Sequence, residues 1–541
     1  MGFKINYALS TQQKGLWIIW QQDKTNPLYN LRLTYHIKGE LDYNNFQKSL
    51  DILFRNNPAL YSTFHNRDGV PYAEISQQPS TIAFQDFTGI PEEDRKERIF
   101  SFLGKESRVC FDLEKGPLYR LYLIKENDLS HFFHMSVHHI IFDGISEKIF
   151  SEQLSNNYCK LSEGLRDEDL DSVNLPDLNP DDGISAGEEA SLVKFWKGSL
   201  AGVHSYVKFP ADFNFPVNPS GFGHKEHFLI NSSTTGKLRT LAEEEGSSLY
   251  RTIVAAIGIF VGRYSGDTDF CLGIPVSKRY NNPDLTNAIG FYVDTVPARI
   301  SVKGKACYRD HIAEAKKSVS DAIKNSKLPF EKIVQVVKPE RISNVNPLFQ
   351  IAISSFNGIY ETVKLGQATA EPVIVPEDVA PFNITFYIWE NGNTVEGDLN
   401  YNTDIFKNST IKRLLKNFLF FVDGLADNPG KPVSEVSLVS DDEANLLRSF
   451  NLTEASFPDL SVHELFEKRA LTSPGKTALI SGPASYTYKE LNEKSNQVAR
   501  YLRANGINEG DVVGVCLERS AEMVIYILGI LKAGCAYLPV D

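Results

Sequence analysis

Long apolar runs are missing from this 541-residue chain. The longest, such as IVAAIGIFV at 253–261, are too short to cross a bilayer and suit a buried helix or strand, so no membrane partner is expected. The opening MGFKINYALSTQQKG has neither an apolar core nor a cleavage site, which excludes a signal peptide and points to the cytoplasm. Cysteine is sparse and scattered, at Cys110, Cys159, Cys271, Cys307, Cys516 and Cys535. No C-x-x-C pair occurs, which removes the common thiolate metal sites and favours reduced thiols. Excess positive charge is missing too. Lys and Arg total 56 against 68 Asp and Glu, a formal net charge of −12, and no basic stripe offers itself to nucleic acid. There is no G-x-S-x-G elbow and no G-x-x-x-x-G-K-[ST] loop, and no repeat of solenoid period.

What is present is a mixed α/β pattern. LRLTYHIKG (31–39) and LYRLYLIKE (118–126) alternate as strands, and FQKSLDILFRN (46–56) has helical spacing. Residues 162–190 turn acidic and loop-like, as a connection between two lobes would. A second mixed block follows, with a buried helix expected over 249–266 and a buried strand over 267–277. Strands are also expected within 347–357 and 394–406. From 458 the composition changes again, with helix-like KELNEKSNQVARYLRANG and strand-like DVVGVCLE. The final LKAGCAYLPVD breaks off in mid-pattern, as at an imposed end.

Histidine is also scarce, eleven in all, yet His131, His134, His138 and His139 crowd into nine positions. HFFHMSVHHII reads as a strand ending at Asp143-Gly144, where the Asp-Gly step lets the backbone turn sharply. Beyond the turn Ile145, Ile149, Phe150, Leu154 and Tyr158 recur at helical spacing, giving a strand–turn–helix unit. Side chains alternate along a strand, so if the pleat continues to its end, one of His138 and His139 packs inward and the other meets reactants. Imidazole titrates near pH ~6.5 and suits general-base work. Asp143 can brace the loop by accepting backbone or guanidinium hydrogen bonds. Two buried core histidines, or a metal held by His131, His134 and one of the pair, are the competing explanations at this point.

HHIIFDG (138–144) resembles the HHxxxDG motif of nonribosomal peptide synthetase condensation domains, which share the chloramphenicol-acetyltransferase-like fold. Further matches follow in that family's order. LSTQQKGLW (9–17) is similar to SxAQxRLW, with Gln12 and Gly15 in place of Ala and Arg. RNNPALYSTF (55–64) is similar to RHExLRTxF, with Asn56 and Tyr61 departing. FWKGSLAG (195–202) looks like the segment that opens the second lobe. IGFYVDTVPAR (289–299) is similar to IGFFVNTxxxR, with Asp294 for Asn. LPFEKIV (328–334) is similar to VPFExxV, preceded by Asn325 instead of His, and RISNVNPLFQ (341–350) matches RDxSRNPLFQ in part. YTYKEL (486–491) and LKAGCAYLPVD (531–541) resemble the first two core motifs of an adenylation domain.

The resemblance implies an α/β fold of two acetyltransferase-like lobes in a V, over 1–180 and 181–440. A linker at 441–457 and a truncated adenylation portion at 458–541 would follow. It implies a tunnel entered by the phosphopantetheine arms of upstream and downstream peptidyl carrier proteins, which bring substrates and not cofactors of this chain. The acceptor amine would attack the donor thioester to form an amide. The motif's active-site residues would be His139, with His138, Asp143 and Gly144, and His138 and Asp143 would be structural. Arg279, in GIPVSKR, would pair with Asp143, and Asn357 would stand near the tunnel. ATP and magnesium would serve only the complete adenylation domain, and the chain would act as a monomer. Heterocyclising domains carry DxxxxDxxS here, β-lactam-forming ones a third histidine where this chain has Val137, and epimerising ones are not followed by adenylation. Amide formation is therefore expected. An acyltransferase of the same fold with a free amine or alcohol acceptor, and a carrier-recruiting module without catalysis, remain the alternatives.

Overall fold

The computed structural model describes residues 4–76, 80–170, 184–217, 219–342, 345–355, 362–375 and 377–541. The chain divides into two compact units, Met1–Ala444 and Asn445–Asp541. Asn357 lies outside the described residues, as does most of the acidic connection, 171–183.

The first unit is built mainly on two open mixed sheets, each with its own apolar core, with a small antiparallel sheet of Lys4–Ala8, Val70–Ser76 and Ser62–Arg67 beside them. The first sheet runs in the order Val363–Leu365, Ala368–Pro372, Asn30–Lys38, Ser130–His138, Tyr119–Asn127, Ile82–Asp86. Its centre is the antiparallel pair in which Asn30 faces His138 and Lys38 faces Ser130. The strand Ser130–His138 is buried along its whole length, which explains its aromatic and β-branched composition. Helices Tyr43–Asn56 and Gly144–Ser162 cover one face, where Phe46, Phe54, Phe133 and Phe150 stack and cross at ring distances of 5.3–6.4 Å. Each fully buried Phe of this kind stabilises the lobe by roughly 1.5–3 kcal/mol.

The second sheet runs Val293–Ser301, Asp269–Ser277, Ile351–Ser355, Ile384–Asn391, Thr394–Asn402, Phe222–Ile230, Glu377–Val379. The helix Leu249–Ser265 buries its apolar residues nearly all round against this lobe's core, and Gly266 ends it with φ +80°. The two lobes exchange chain. Val363–Leu365 and Ala368–Pro372 belong by sequence to the second lobe but extend the first sheet, where Ala370 pairs with Ile37.

Most expected elements form where the pattern placed them. The strand expected within 347–357 is shorter, Ile351–Ser355, because Pro347 and a left-handed Leu348 (φ +70°) occupy its start. Residues 441–450, expected as part of a linker, form a helix. In the second unit the helix Tyr488–Ala504 packs against the helix Ala521–Lys532 through Leu491, Ile525 and Leu528. No described helix is long and apolar enough to cross a membrane.

Candidate active site at the lobe junction

The strand Ser130–His138 stops at the first histidine. His139 instead begins a single 3₁₀ turn, His139–Ile141, before the helix Gly144–Ser162 starts. The two imidazoles do part company, but through this change of backbone and not through a pleat carried to the strand's end.

His138 is buried. Its Nδ1 accepts the Ile140 amide at 3.1 Å, capping the turn, and its ring meets Phe111 edge-on at 6.3 Å. Burial, reinforced by the neighbouring His139, pushes its pKa down to about 3, so it stays neutral and acts as an acceptor. His134 is held in the same neutral state, at about 3 by burial, between Thr34 and Ser136.

His139 is different. Its backbone amide donates to the Tyr29 carbonyl at 2.8 Å, and its ring lies 4.8 Å from that of Phe291 in the second lobe. Its Nδ1 stands 2.6 Å from the Phe142 carbonyl oxygen. A carbonyl can only accept, so Nδ1 carries the proton and Nε2 is left with its lone pair. The residue keeps a solvent-facing edge, yet enough protein surrounds the ring that burial lowers its pKa, against the opposing pull of the Phe142 carbonyl and Asp143. The outcome is a partly exposed, neutral imidazole whose basic nitrogen has been chosen by a backbone contact.

Asp143 caps the following helix. Its Oδ1 accepts the Ser146 amide at 2.9 Å and the Ser146 hydroxyl at 2.8 Å, and its Oδ2 takes Arg279 Nη1 at 2.7 Å and the Tyr292 amide at 2.9 Å. Arg279 Nη2 donates onward to Ser146 Oγ (2.9 Å) and to the Ala288 carbonyl (2.8 Å). Ser146 Oγ also meets both backbone groups of Gly290, the amide at 3.0 Å and the carbonyl at 2.9 Å. Asp143 and Arg279 are 1% and 6% exposed, and their contacts tie the first lobe to the second. The chain needs glycine at 290, because a Cβ there would sit 2.5 Å from the Tyr292 ring. Gly144 is simply the first helical residue. The sharp turn expected of it is made by the 3₁₀ turn and the Asp143 cap, and its φ is not positive.

The helix Thr11–Gln22 clamps the turn from the other side. Its Ser10 cap forms a capping box with Gln13, whose Nε2 donates to the Ile140 carbonyl at 3.1 Å, while Gln12 reaches Asp294 Oδ2 at 3.0 Å. A small cavity, lined by Tyr7, Gln13, Ile141, Gly290 and Phe291 among others, lies against this clamp. Gln13, Ser146 and Phe291 received no role from the sequence. Ser146 and Gln13 each left a local signal, as the third residue after a capping side chain, and Phe291 left none of that kind. Among the described residues no group of three or more potential metal ligands converges.

Comparison with known proteins agrees with this architecture. The family model described as "Condensation domain" matches residues 4–448, and that described as "AMP-binding enzyme" matches residues 466–541. A linear gramicidin synthase of Brevibacillus parabrevis is 31% identical over 98% of this chain, and bacitracin synthase 3 of Bacillus licheniformis is 31% identical over 99%. The chain spans only 7% and 8% of those relatives. A solved four-domain nonribosomal peptide synthetase bound to AMP and glycine superposes with a TM-score of 0.83 at 22% identity, covering all of this chain and 42% of that one. The first condensation domain of the CDA synthetase gives 0.64 at 18% identity, over 81% of this chain and 99% of that one. The fold is thus that of the condensation domains, and the chain belongs to the condensation-domain family of nonribosomal peptide synthetases, with the start of an AMP-binding domain after it.

Proposed function

We propose that this chain joins a donor acyl or peptidyl thioester, held on one peptidyl carrier protein, to the amine of an aminoacyl thioester held on another. The amine attacks the donor carbonyl, the C–N bond forms, the C–S bond breaks, and the donor's pantetheine leaves as a thiol. The observation that carries this reading is the His139 ring, with Nδ1 committed to the Phe142 carbonyl and Nε2 basic on a partly exposed edge. Nε2 is suited to accept the proton that the attacking amine nitrogen sheds as it becomes the amide, and to pass it to the leaving thiolate, or to orient the amine by accepting its N–H. Holding two tethered thioesters in register supplies much of the acceleration, because it removes the translational cost of a bimolecular step.

Asp143 and Arg279 are positioning residues in this scheme, His138 braces the turn, and Gly144 starts the helix. The carriers' phosphopantetheine arms are substrates, and ATP with magnesium belongs to the adenylation domain of which residues 458–541 would be the beginning. The lobe boundary is placed near 180. The matching experiment loads donor and acceptor carriers, adds the chain, and follows the amide by mass spectrometry. Product should form with wild type and fall at least 100-fold with His139→Ala, in line with the usual worth of a positioned proton acceptor, about 10²–10⁴-fold. Equal turnover of a free amine would favour the stand-alone acyltransferase alternative.

A further inference from the structure

The reacting imidazole belongs to the first lobe, but the aromatic ring beside it comes from the second. Phe291 lies in the irregular stretch 290–292, just before the strand Val293–Ser301, and its ring centre stands 4.8 Å from that of His139, at 61°. Two residues earlier, Ile289 is buried in the apolar core of the first lobe, and Phe291 packs half-buried against the same core. His139 has use for such a neighbour. The Phe142 carbonyl fixes its tautomer and the Tyr29 carbonyl fixes its main chain, yet one hydrogen bond leaves a ring free to swing about the bonded nitrogen. A second contact on the flank is what settles where Nε2 points.

Both chain neighbours of Phe291 are held fast. The buried Ser146 hydroxyl grips Gly290 at its amide and its carbonyl, at 3.0 and 2.9 Å. Tyr292 donates its amide to Asp143 Oδ2 at 2.9 Å, accepts the Lys278 amide on its carbonyl at 2.8 Å, and has its ring centre 4.7 Å from the Arg279 guanidinium carbon. The side chain of Phe291, by contrast, borders the small cavity that it lines with Tyr7, Gln13, Ala59, Ile141 and Tyr292. A ring with empty space on one flank has no packing partner there to fix it. The backbone clamp at 290 and 292 fixes it instead, and that clamp is made by the Asp143, Ser146 and Arg279 network.

We propose that Phe291 is a positioning residue for the amide-forming step, a second-lobe ring that aims His139 Nε2 across the lobe junction and is held in turn by Ser146 through Gly290. This rests on the amide-forming scheme and deepens it, because the imidazole then works only while the two lobes are docked. A reacting group misplaced by about 1 Å can lose about 100-fold in rate, whereas binding of two pantetheine arms does not depend on where Nε2 points. Phe291 also keeps water from one flank of the imidazole and so contributes to the burial that lowers its pKa. The titratable groups that act on His139 are its neighbours His138 and Asp143, and a change at 291 leaves both in place.

The test compares the full chain with Phe291→Ala, Phe291→Leu and Phe291→Tyr, each checked for folding by its melting curve. With loaded carriers, Phe291→Ala should lower kcat at least ~10-fold while KM stays within about twofold. Phe291→Leu, which keeps apolar volume without a ring, should also lose kcat and serves if Phe291→Ala fails to fold. Phe291→Tyr keeps the ring and should restore most of the rate. Ser146→Ala should lower kcat in wild type but add less than about twofold to the loss in Phe291→Ala, and fully additive losses overturn the link through Ser146. In parallel, carbon-13 NMR of the histidine-labelled full chain follows the His139 ring, assigned by its loss in His139→Ala. Its titration midpoint, below about 6.5 in wild type, should rise in Phe291→Ala and stay in Phe291→Tyr. An unmoved midpoint in a folded ring-deleted variant, an equal kcat loss in Phe291→Tyr, or a fall confined to KM overturns the proposal. If wild type forms no amide, the amide-forming scheme fails, and the titration alone then decides the role of Phe291: a raised midpoint upholds it and an unmoved one overturns it.

Discussion

Asp143 and Arg279, 136 residues apart, form an ion pair of 2.7 Å in which both side chains are almost fully buried. Buried pairs of this kind contribute little net stability against an apolar replacement, but removing one partner strands the other. Arg279→Ala is expected to destabilise the first unit by about 3–5 kcal/mol, read as a lower denaturant midpoint. Arg279→Lys should not rescue it. One nitrogen cannot reach Asp143 while a second serves Ser146 and the Ala288 carbonyl.

Turnover should hold up in mild acid. The neutral form of His139 is the working one, and burial lowers its pKa below the ordinary imidazole value of about 6.5. The acid limb of kcat/KM should accordingly fall below pH ~6.5, and a rate already halved above pH ~7 by an imidazole titration would contradict the assignment.

Stability has its own acid limb. His134 and His138 are held neutral in the fold at about 3, whereas the unfolded chain protonates them near pH ~6.5. Their depressed pKa values favour the fold fully above pH ~6.5, and that advantage is lost progressively as pH drops toward 3. The melting temperature should decline over this window, and His138→Asn should flatten the decline.

What the sequence discloses and what it hides are clearest at this site. The strand, the turn and the helix of residues 130–162 were legible from composition and spacing, and so was the partnership of Asp143 with Arg279, through the family resemblance. What separates the two histidines was not. Alternation presumes a continued strand, while the Ile140 amide and Phe142 carbonyl bend the chain into a 3₁₀ turn, and a seven-residue pattern does not encode that choice. Gln13 and Phe291 were hidden for another reason. Their roles depend on contacts distant in sequence, Gln13 with Ile140 within the first lobe and Phe291 with His139 across the two lobes, and no local periodicity records this.

Two departures from the family's motifs have a physical consequence. Gly15 stands where the resembled motif has arginine, and the Glu331 carboxylate fills the space, 2.8 Å from where a Cβ at 15 would be. Its Oε2 has no partner, and burial followed by the charge of Asp294, which replaces the family's Asn, pushes its pKa up to about 6. A carboxyl raised in the fold favours folding below its unfolded pKa and loses that benefit as pH climbs through 6. Glu331→Gln should thus stabilise by about 1 kcal/mol at pH 7.5 and by nothing measurable at pH 4, compared by urea melts at the two values. Equal effects at both would contradict the account.

The central claim is that His139 Nε2, freed by the Phe142 contact, promotes amide formation between two carrier-bound thioesters. The most direct measurement is intact-protein mass spectrometry of the acceptor carrier after mixing loaded donor, loaded acceptor and this chain. The account predicts an acceptor heavier by the donor acyl group with wild type, and a rate at least 100-fold lower with a folded His139→Ala. Undiminished transfer by that variant would contradict it.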